Sequence, residues 1–343
     1  MSDVQRFVVR RGGLAVATMW ALASVVFLMM QWMPGDPAQV AAGPFASPEQ
    51  VELVRHQMGL DRSLLYQYFN YFGRLFHGDL GTSMVAYRPV TTELAHVLPS
   101  TLELAAAAFV LNLLIAVPLA VLSAVHRGGR LDSTLRVVAV VGGSMPPFWM
   151  ALVLQLVLAV GLGWFPITGQ STENPGASRT GAGTIDAILA GDPAAFMSAL
   201  WHLFLPALVL ALPFAVQLYR ALRSSMVGVL EQDFIAVVRV KGTPERRVLM
   251  RHALPNALGP VITLAFIELG GMVGSAVLIE SVFSRTGIGK FLTDGVAAKD
   301  TYGVLGGILV IGLVVCVVNL VADLLQLALD PRVRRTELSS EAR

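Results

Sequence analysis

TLELAAAAFVLNLLIAVPLAVLSAV, residues 101–125, carries a single formal charge, Glu103. A helix of that length reaches roughly 37 Å, more than the hydrocarbon thickness of a bilayer. Five further runs have the same character, at 12–33, 135–162, 201–222, 257–283 and 303–329. Across 343 residues the chain is 55% hydrophobic and 14% charged, with a mean hydropathy of +0.66. A globular domain carries roughly 25% charged residues, so a soluble enzyme and a disordered chain are both excluded. Six spans use about 120–145 residues, which leaves too little for a fused catalytic domain. The expectation is an all-α polytopic membrane protein with six transmembrane helices.

The basic residues give the orientation. Of 25 Lys and Arg, 17 lie in the N-terminus, 126–136, 220–252 and 330–343, and 8 in 34–98, 163–200 and 284–302. The first set is therefore cytoplasmic, with both chain ends inside. Arg6, Arg10 and Arg11 precede the first run as in a secretory signal, but its length predicts a retained span. The lone Cys316 has no partner for a disulfide or a cysteine metal site. The organisation expected is 1–33 for the N-terminus and first span, 34–98 outside, 99–330 for the transmembrane core with an inner loop at 224–256, and 331–343 as a cytoplasmic tail.

Outside, Ser47-Pro48-Glu49-Gln50 predicts a helix start and Gly59 its end. Leu64, Leu65, Tyr68, Phe69, Phe72, Leu75 and Phe76 recur at helical spacing, which suits either a helix lying on the membrane or one packed on spans. Loop composition dominates 168–184, with a short helix expected at 185–189, and Gly287, Gly289 and Gly295 suggest turns in 284–302. Inside, Leu230, Phe234, Val237 and Val238 form a helical stripe that Gly242 stops. Thr243-Pro244-Glu245 starts a second helix that runs to Pro255. A basic helix–turn–helix joined to two spans suits a lever worked by a soluble partner, and equally a loop bound to anionic lipid.

At this loop the sequence resembles the permease subunits of ATP-binding-cassette importers, whose cytoplasmic signature is Glu-Ala-Ala, three residues, Gly, nine residues, Ile-x-Leu-Pro. Gly242, Leu254 and Pro255 match at that spacing, while Ala236-Val237-Val238 fills the Glu-Ala-Ala slot and His252 replaces Ile. Arg239-Val240-Lys241-Gly242 and Arg251-His252-Ala253-Leu254 resemble the dipeptide, oligopeptide and nickel branch. So do Pro34-Gly35-Asp36-Pro37, 77–83 (HGDLGTS), 98–104 (LPSTLEL), 144–149 (SMPPFW), 279–284 (IESVFS) with Gly287-Ile288-Gly289, and 330–334 (DPRVR). Arg285-Thr286 departs from the branch, which often has an aromatic residue and Pro there.

The resemblance implies the type I importer fold in a bacterial cytoplasmic membrane. It also implies a second homologous permease subunit, two cytoplasmic ATPase subunits, an extracytoplasmic substrate-binding protein and surrounding lipid, with no cofactor, metal or nucleic acid. No nucleotide site is expected in the chain itself: around Gly289-Lys290, Ser284 and Phe291 replace the residues a phosphate loop needs. The coupling residues implied are Val237, Val238, Arg239, Lys241, Gly242, Thr243, Pro244, Arg246, Arg247, Leu249, Arg251, His252, Leu254 and Pro255. Polar residues within spans usually face a cavity or another helix, so Asn112, Gln155, Gln217, Glu268, Ser275 and Asn319 are candidates for the path. Arg285, Gly287 and Gly289 are expected to meet the binding protein. The alternative is a proton-coupled secondary transporter using Glu103, Glu268 and Asp323. An intramembrane serine protease built on Gly142-Gly143-Ser144 fails, because His126 and His202 flank the membrane.

Overall fold

The structure, a computed structural model, describes residues 3–32, 36–43, 45–83, 88–172 and 179–329. Pro34-Gly35, the 330–334 motif and the tail expected at 331–343 lie outside the described residues. Among the described residues fifteen α-helices follow one another: α1 (Asp3–Trp32), α2 (Pro37–Ala42), α3 (Pro48–Met58), α4 (Leu64–Phe76), α5 (Val90–Val125), α6 (Arg130–Ser144), α7 (Pro147–Leu154), α8 (Gly183–Ala190), α9 (Pro193–Leu230), α10 (Asp233–Val240), α11 (Glu245–Arg247), α12 (Leu254–Ala257), α13 (Gly259–Val282), α14 (Ile288–Ala297) and α15 (Thr301–Leu329). Among the described residues there is no β-strand, only an isolated bridge between Thr82 and Pro89.

Five helices are long and apolar enough to cross a membrane unaided: α1, α5, α9, α13 and α15. The sixth crossing is broken, since α6 and α7 with its π-helical extension Gln155–Gly161 meet at 104°. A straight span over 135–162 was expected. Pro146 and Pro147 explain the difference, because a proline lacks the N–H of the helix ladder and holds the preceding residue extended. Met145 (φ −85°, ψ 133°) and Pro146 (φ −60°, ψ 134°) are both extended. The two halves still cross from inside to outside. Gly143 lies beside Val216 on α9, while Gln155 Nε2 donates to the carbonyl of Ile167 at 2.7 Å near the outer end.

The bundle is organised around α5 and α9, which pack along their length. The outer core gathers Leu104, Ala108, Leu205, Leu210, Met272 and Ile279, and the inner core Ala116, Ala120, Leu218, Leu222 and Met226. Alanines on α5 let the two backbones approach closely. Arg11 meets Asp323 at 3.0 Å, which brings the start of α1 and the end of α15 to one face, as the orientation requires.

The outer helices follow their sequence signals. Ser47 and Gln50 form a reciprocal capping box on α3, and Gly59 ends it in the left-handed region (φ 67°). On α4, Tyr68, Tyr71, Phe72 and Leu75 pack over Phe27 of α1 and Leu305 and Leu309 of α15. Leu65, Phe69 and Phe76 stay 69–85% exposed on an adjoining face. One difference stands out: 284–302 contains α14 where turns were expected. Its glycines serve close packing, since a Cβ on Gly289 would lie 2.3 Å from the Val277 carbonyl oxygen and one on Gly295 3.0 Å from Val304.

Candidate functional site: the cytoplasmic loop and the groups behind it

The inner loop begins where α9 ends at Leu230. Helix α10 follows, and Gly242 turns the chain at φ +75°, a conformation that favours glycine. Arg239 donates across this turn to Glu245, from Nε to Oε2 at 3.2 Å and from Nη2 to Oε1 at 2.6 Å. That hydrogen-bonded charge holds the Glu245 carboxyl below its ordinary range. Pro244, not Thr243, occupies the cap position, with no side-chain cap. The second helix also passes Pro255: a π-helical stretch, Val248–Ala253, precedes α12, and Pro255 falls in the first turn of α12, where its missing N–H costs little.

The loop has two faces. Ile235, Val248, Ala253 and Ala257 are wholly buried and continue the inner core, with Leu254 nearly so. Val238 and Leu249, expected at a partner contact, pack against this core instead. Ser225 Oγ donates to the Ala257 carbonyl at 2.8 Å, tying the foot of α9 to the head of α13. The other face is open. Val240 is 88% exposed, Met250 54%, Val237 53% and Phe234 38%, and Lys241, Arg246, Arg247 and Arg251 are exposed around them. Of these apolar groups only Val237 was expected among the coupling residues, because exposure depends on which side of each short helix meets α9.

Behind the loop lies an ion pair that the sequence reading missed. Asp132 on α6 is 1% exposed and accepts from Arg223 Nε at 2.7 Å, Arg223 Nη2 at 2.8 Å, Ser123 Oγ at 2.6 Å and the Gly128 N–H at 3.0 Å. Ser123 also bonds Tyr219 at 2.9 Å. A buried carboxylate is tolerable when its lone pairs are filled in this way. The available signal was Asp132 as the one acid among the three arginines of 126–136.

The path candidates separate. Asn112 Nδ2 donates to Glu268 Oε2 at 3.0 Å, and both residues are buried, so this pair ties α5 to α13. Gln155 is bound to backbone carbonyls of Ile167 and Val282. Ser275 is half-buried, whereas Gln217 and Asn319 are exposed. Asn319 lies so close to Gly270 that a Cβ there would come within 2.3 Å of its Oδ1.

The outer candidates turn inward. Arg285 is 1% exposed and pairs with Glu103, whose Oε1 also accepts from the Thr184 N–H at 2.8 Å. Glu280 Oε2 accepts from the Gly289 N–H at 2.7 Å, and Ile288 N–H donates to Thr101 Oγ1 at 2.9 Å. A Cβ on Gly287 would lie 2.2 Å from the Glu280 carboxylate. Arg285, Gly287 and Gly289 thus form a buried frame joining α5, α13 and α14, in place of the exposed contact expected. Burial pushes the Arg285 guanidinium down from its ordinary value, against the carboxylates that favour its charge.

The sequence was compared with known proteins. The family described as "Binding-protein-dependent transport system inner membrane component" matches residues 116–335, and its N-terminal companion matches 4–105. The chain is 41% identical over 325 residues to the probable D,D-dipeptide transport system permease protein DdpB of Escherichia coli (strain K12), covering 92% of this chain and 96% of that one. It is 37% identical to the di/tripeptide transport system permease protein DppB of Pseudomonas aeruginosa (strain UCBPP-PA14), covering 96% and 98%. Among solved structures, an inward-facing form of the MetNI methionine ABC transporter aligns with TM-score 0.53 and 17% identity, over 69% of this chain and 96% of that chain. At that identity the likeness shows the fold alone.

These matches displace the proton-coupled alternative. Its three acids also have structural partners: Glu103 with Arg285, Glu268 with Asn112 and Asp323 with Arg11. The chain is a multi-pass protein of the bacterial cytoplasmic membrane. It belongs to the binding-protein-dependent transport system inner membrane components, the permeases of ATP-binding-cassette importers.

Proposed function

We propose that the chain is one of two homologous permease subunits of an ATP-driven importer of short peptides, coupled to its ATPases through the loop at 233–257. The observation that carries this reading is the division of the loop: one face is sealed into the span core, and the other offers apolar groups ringed by cations. An apolar centre gives area for docking, and the rim of charge sets register and encounter rate.

Two cytoplasmic ATPase subunits hydrolyse ATP, one docked on each permease. Phe234, Val237, Val240 and Met250 enter the ATPase surface, while Lys241, Arg246, Arg247 and Arg251 meet its acidic groups. Gly242 and the Arg239–Glu245 bridge keep the two short helices at a fixed angle, so the loop moves as a body. His252, Leu254 and Pro255 lead that movement into α13, and Leu230 hands it to α9. An extracytoplasmic binding protein delivers cargo to the outer face, above the frame made by Arg285, Gly287 and Gly289. The names of the relatives, which concern dipeptides and tripeptides, support short peptides as the cargo class. Gln217 and Asn319, polar and exposed on their spans, are the best placed to line the path between the two permeases.

The test is reconstitution of the permease pair with its ATPases in liposomes. ATP hydrolysis should rise when a peptide-loaded binding protein is added, and labelled dipeptide should accumulate. Uptake by this chain without ATPases would sink the reading.

A further inference from the structure

We propose that Asp132 and Arg223 are positioning residues for coupling: their buried bidentate pair makes α6 travel with the cytoplasmic loop, hinged at Met145-Pro146. This rests on the functional reading above and adds a moving part to it.

Four observations meet here. The third span is two helices at 104°, joined through two extended residues that carry no helix ladder, so α6 can turn without unwinding α7. Helix α6 buries little else: only Asp132 and Ala139 are buried in it, while Val137, Val138, Val140 and Val141 are 51–61% exposed. Its attachment is therefore concentrated in the pair, helped by a 3.4 Å bond from Arg220 Nη2 to the Ala139 carbonyl. Arg223 stands two turns before the end of α9, and Ser225 beside it is hydrogen-bonded to Ala257 at the exit of the loop. Finally, a partly open apolar cleft of about 140 Å³ lies beside the hinge, lined by Leu135, Val138, Gly142, Met150, Leu212 and Tyr219 among others. A cleft beside an unladdered joint leaves α6 room to swing.

The clamp suits the task. Arg presents two parallel donors to one carboxylate, which fixes orientation as well as distance. A push on the loop then carries the inner part of α9, beyond Pro213, together with α6 and changes the angle at Met145-Pro146, while α7 stays against the outer part of α9 and α13.

The experiment uses spin labels on the complete complex, with Cys316→Ala as background. Labels go at Val137→Cys on α6, Gln232→Cys at the foot of the loop and Leu156→Cys beyond the hinge, all exposed and outside the docking face. Between nucleotide-free and ATP-trapped states, the 137–232 distance should hold within about 2 Å and the 137–156 distance should change by about 4 Å or more. Asp132→Asn, nearly isosteric, should broaden the 137–232 distribution, leave basal ATP hydrolysis in place and lower transport per ATP about tenfold. The exchange Asp132→Arg with Arg223→Asp should narrow that distribution again. A wild-type 137–232 distance that differs between states, or an Asp132→Asn complex with normal transport per ATP, overturns the proposal. A chain that captures no ATPase overturns the functional reading and the driven movement together. The clamp is still read in the chain alone, as a narrow 137–232 distribution that Asp132→Asn broadens.

Discussion

Replacing Arg285 by Met removes the cation from a side chain that is 1% exposed and strands Glu103, whose own side chain is 6% exposed. Removing one partner of a buried ion pair costs about 3–5 kcal/mol, because the remaining charge stays desolvated. Here the Thr184 N–H and hydroxyl still donate to Glu103, so the lower end, about 3 kcal/mol, is the better figure. In a chain of 343 residues that lowers Tm by roughly 4 °C. The double variant Arg285→Met with Glu103→Gln removes both charges and should regain at least half of the loss. Thermal unfolding of the purified chain in detergent, read by circular dichroism, measures both. An Arg285→Met variant within about 1 °C of wild type would refute the buried frame. So would a double variant no more stable than the single one, since the penalty would then not come from a stranded carboxylate.

Three further outcomes follow from the same packing. Gly289→Ala places a methyl group 2.3 Å from the Val277 carbonyl oxygen, so α14 must shift by about 1 Å, at a cost of about 1–3 kcal/mol in the same melt. Asn112→Leu removes the donor that the buried Glu268 has among the described residues, and should cost about 1–3 kcal/mol, whereas Gln217→Leu on an exposed face should be near neutral. The Glu245 carboxyl is held below 4.5, so its bridge to Arg239 stabilises fully above that pH and is lost as pH falls through the lowered value. Glu245→Gln should therefore melt a few tenths of a kcal/mol early at pH 7, with the difference shrinking as pH falls through the lowered value.

The spans were legible because a membrane forces long apolar runs, and 101–125 needed no context to be read. The capping box at Ser47 and the stop at Gly242 were equally plain, since each rests on local backbone chemistry. What escaped depends on contacts between distant residues. Gly289 reads as a turn in isolation, but it lies in the first turn of α14, where its missing side chain leaves room for Val277. Arg285 reads as a surface cation until Glu103, 182 residues earlier, is brought beside it. The Asp132–Arg223 pair joins residues 91 apart, and no spacing rule links them. For the coupling loop, spacing found the segment and its charge, but only packing against α9 decided that Val238 and Leu249 face the core while Val240 and Met250 face the cytoplasm.

In the proposed coupling the exposed face of the loop docks an ATPase. Cysteine cross-linking in membranes tests it most directly, with Val240→Cys on the open face, Ile235→Cys on the sealed face and Cys316→Ala in both. Val240→Cys should link to an ATPase subunit in the assembled complex, added Arg246→Glu and Arg247→Glu should weaken the link, and Ile235→Cys should form none. An ATPase linked equally well through both positions, or through neither, would contradict it.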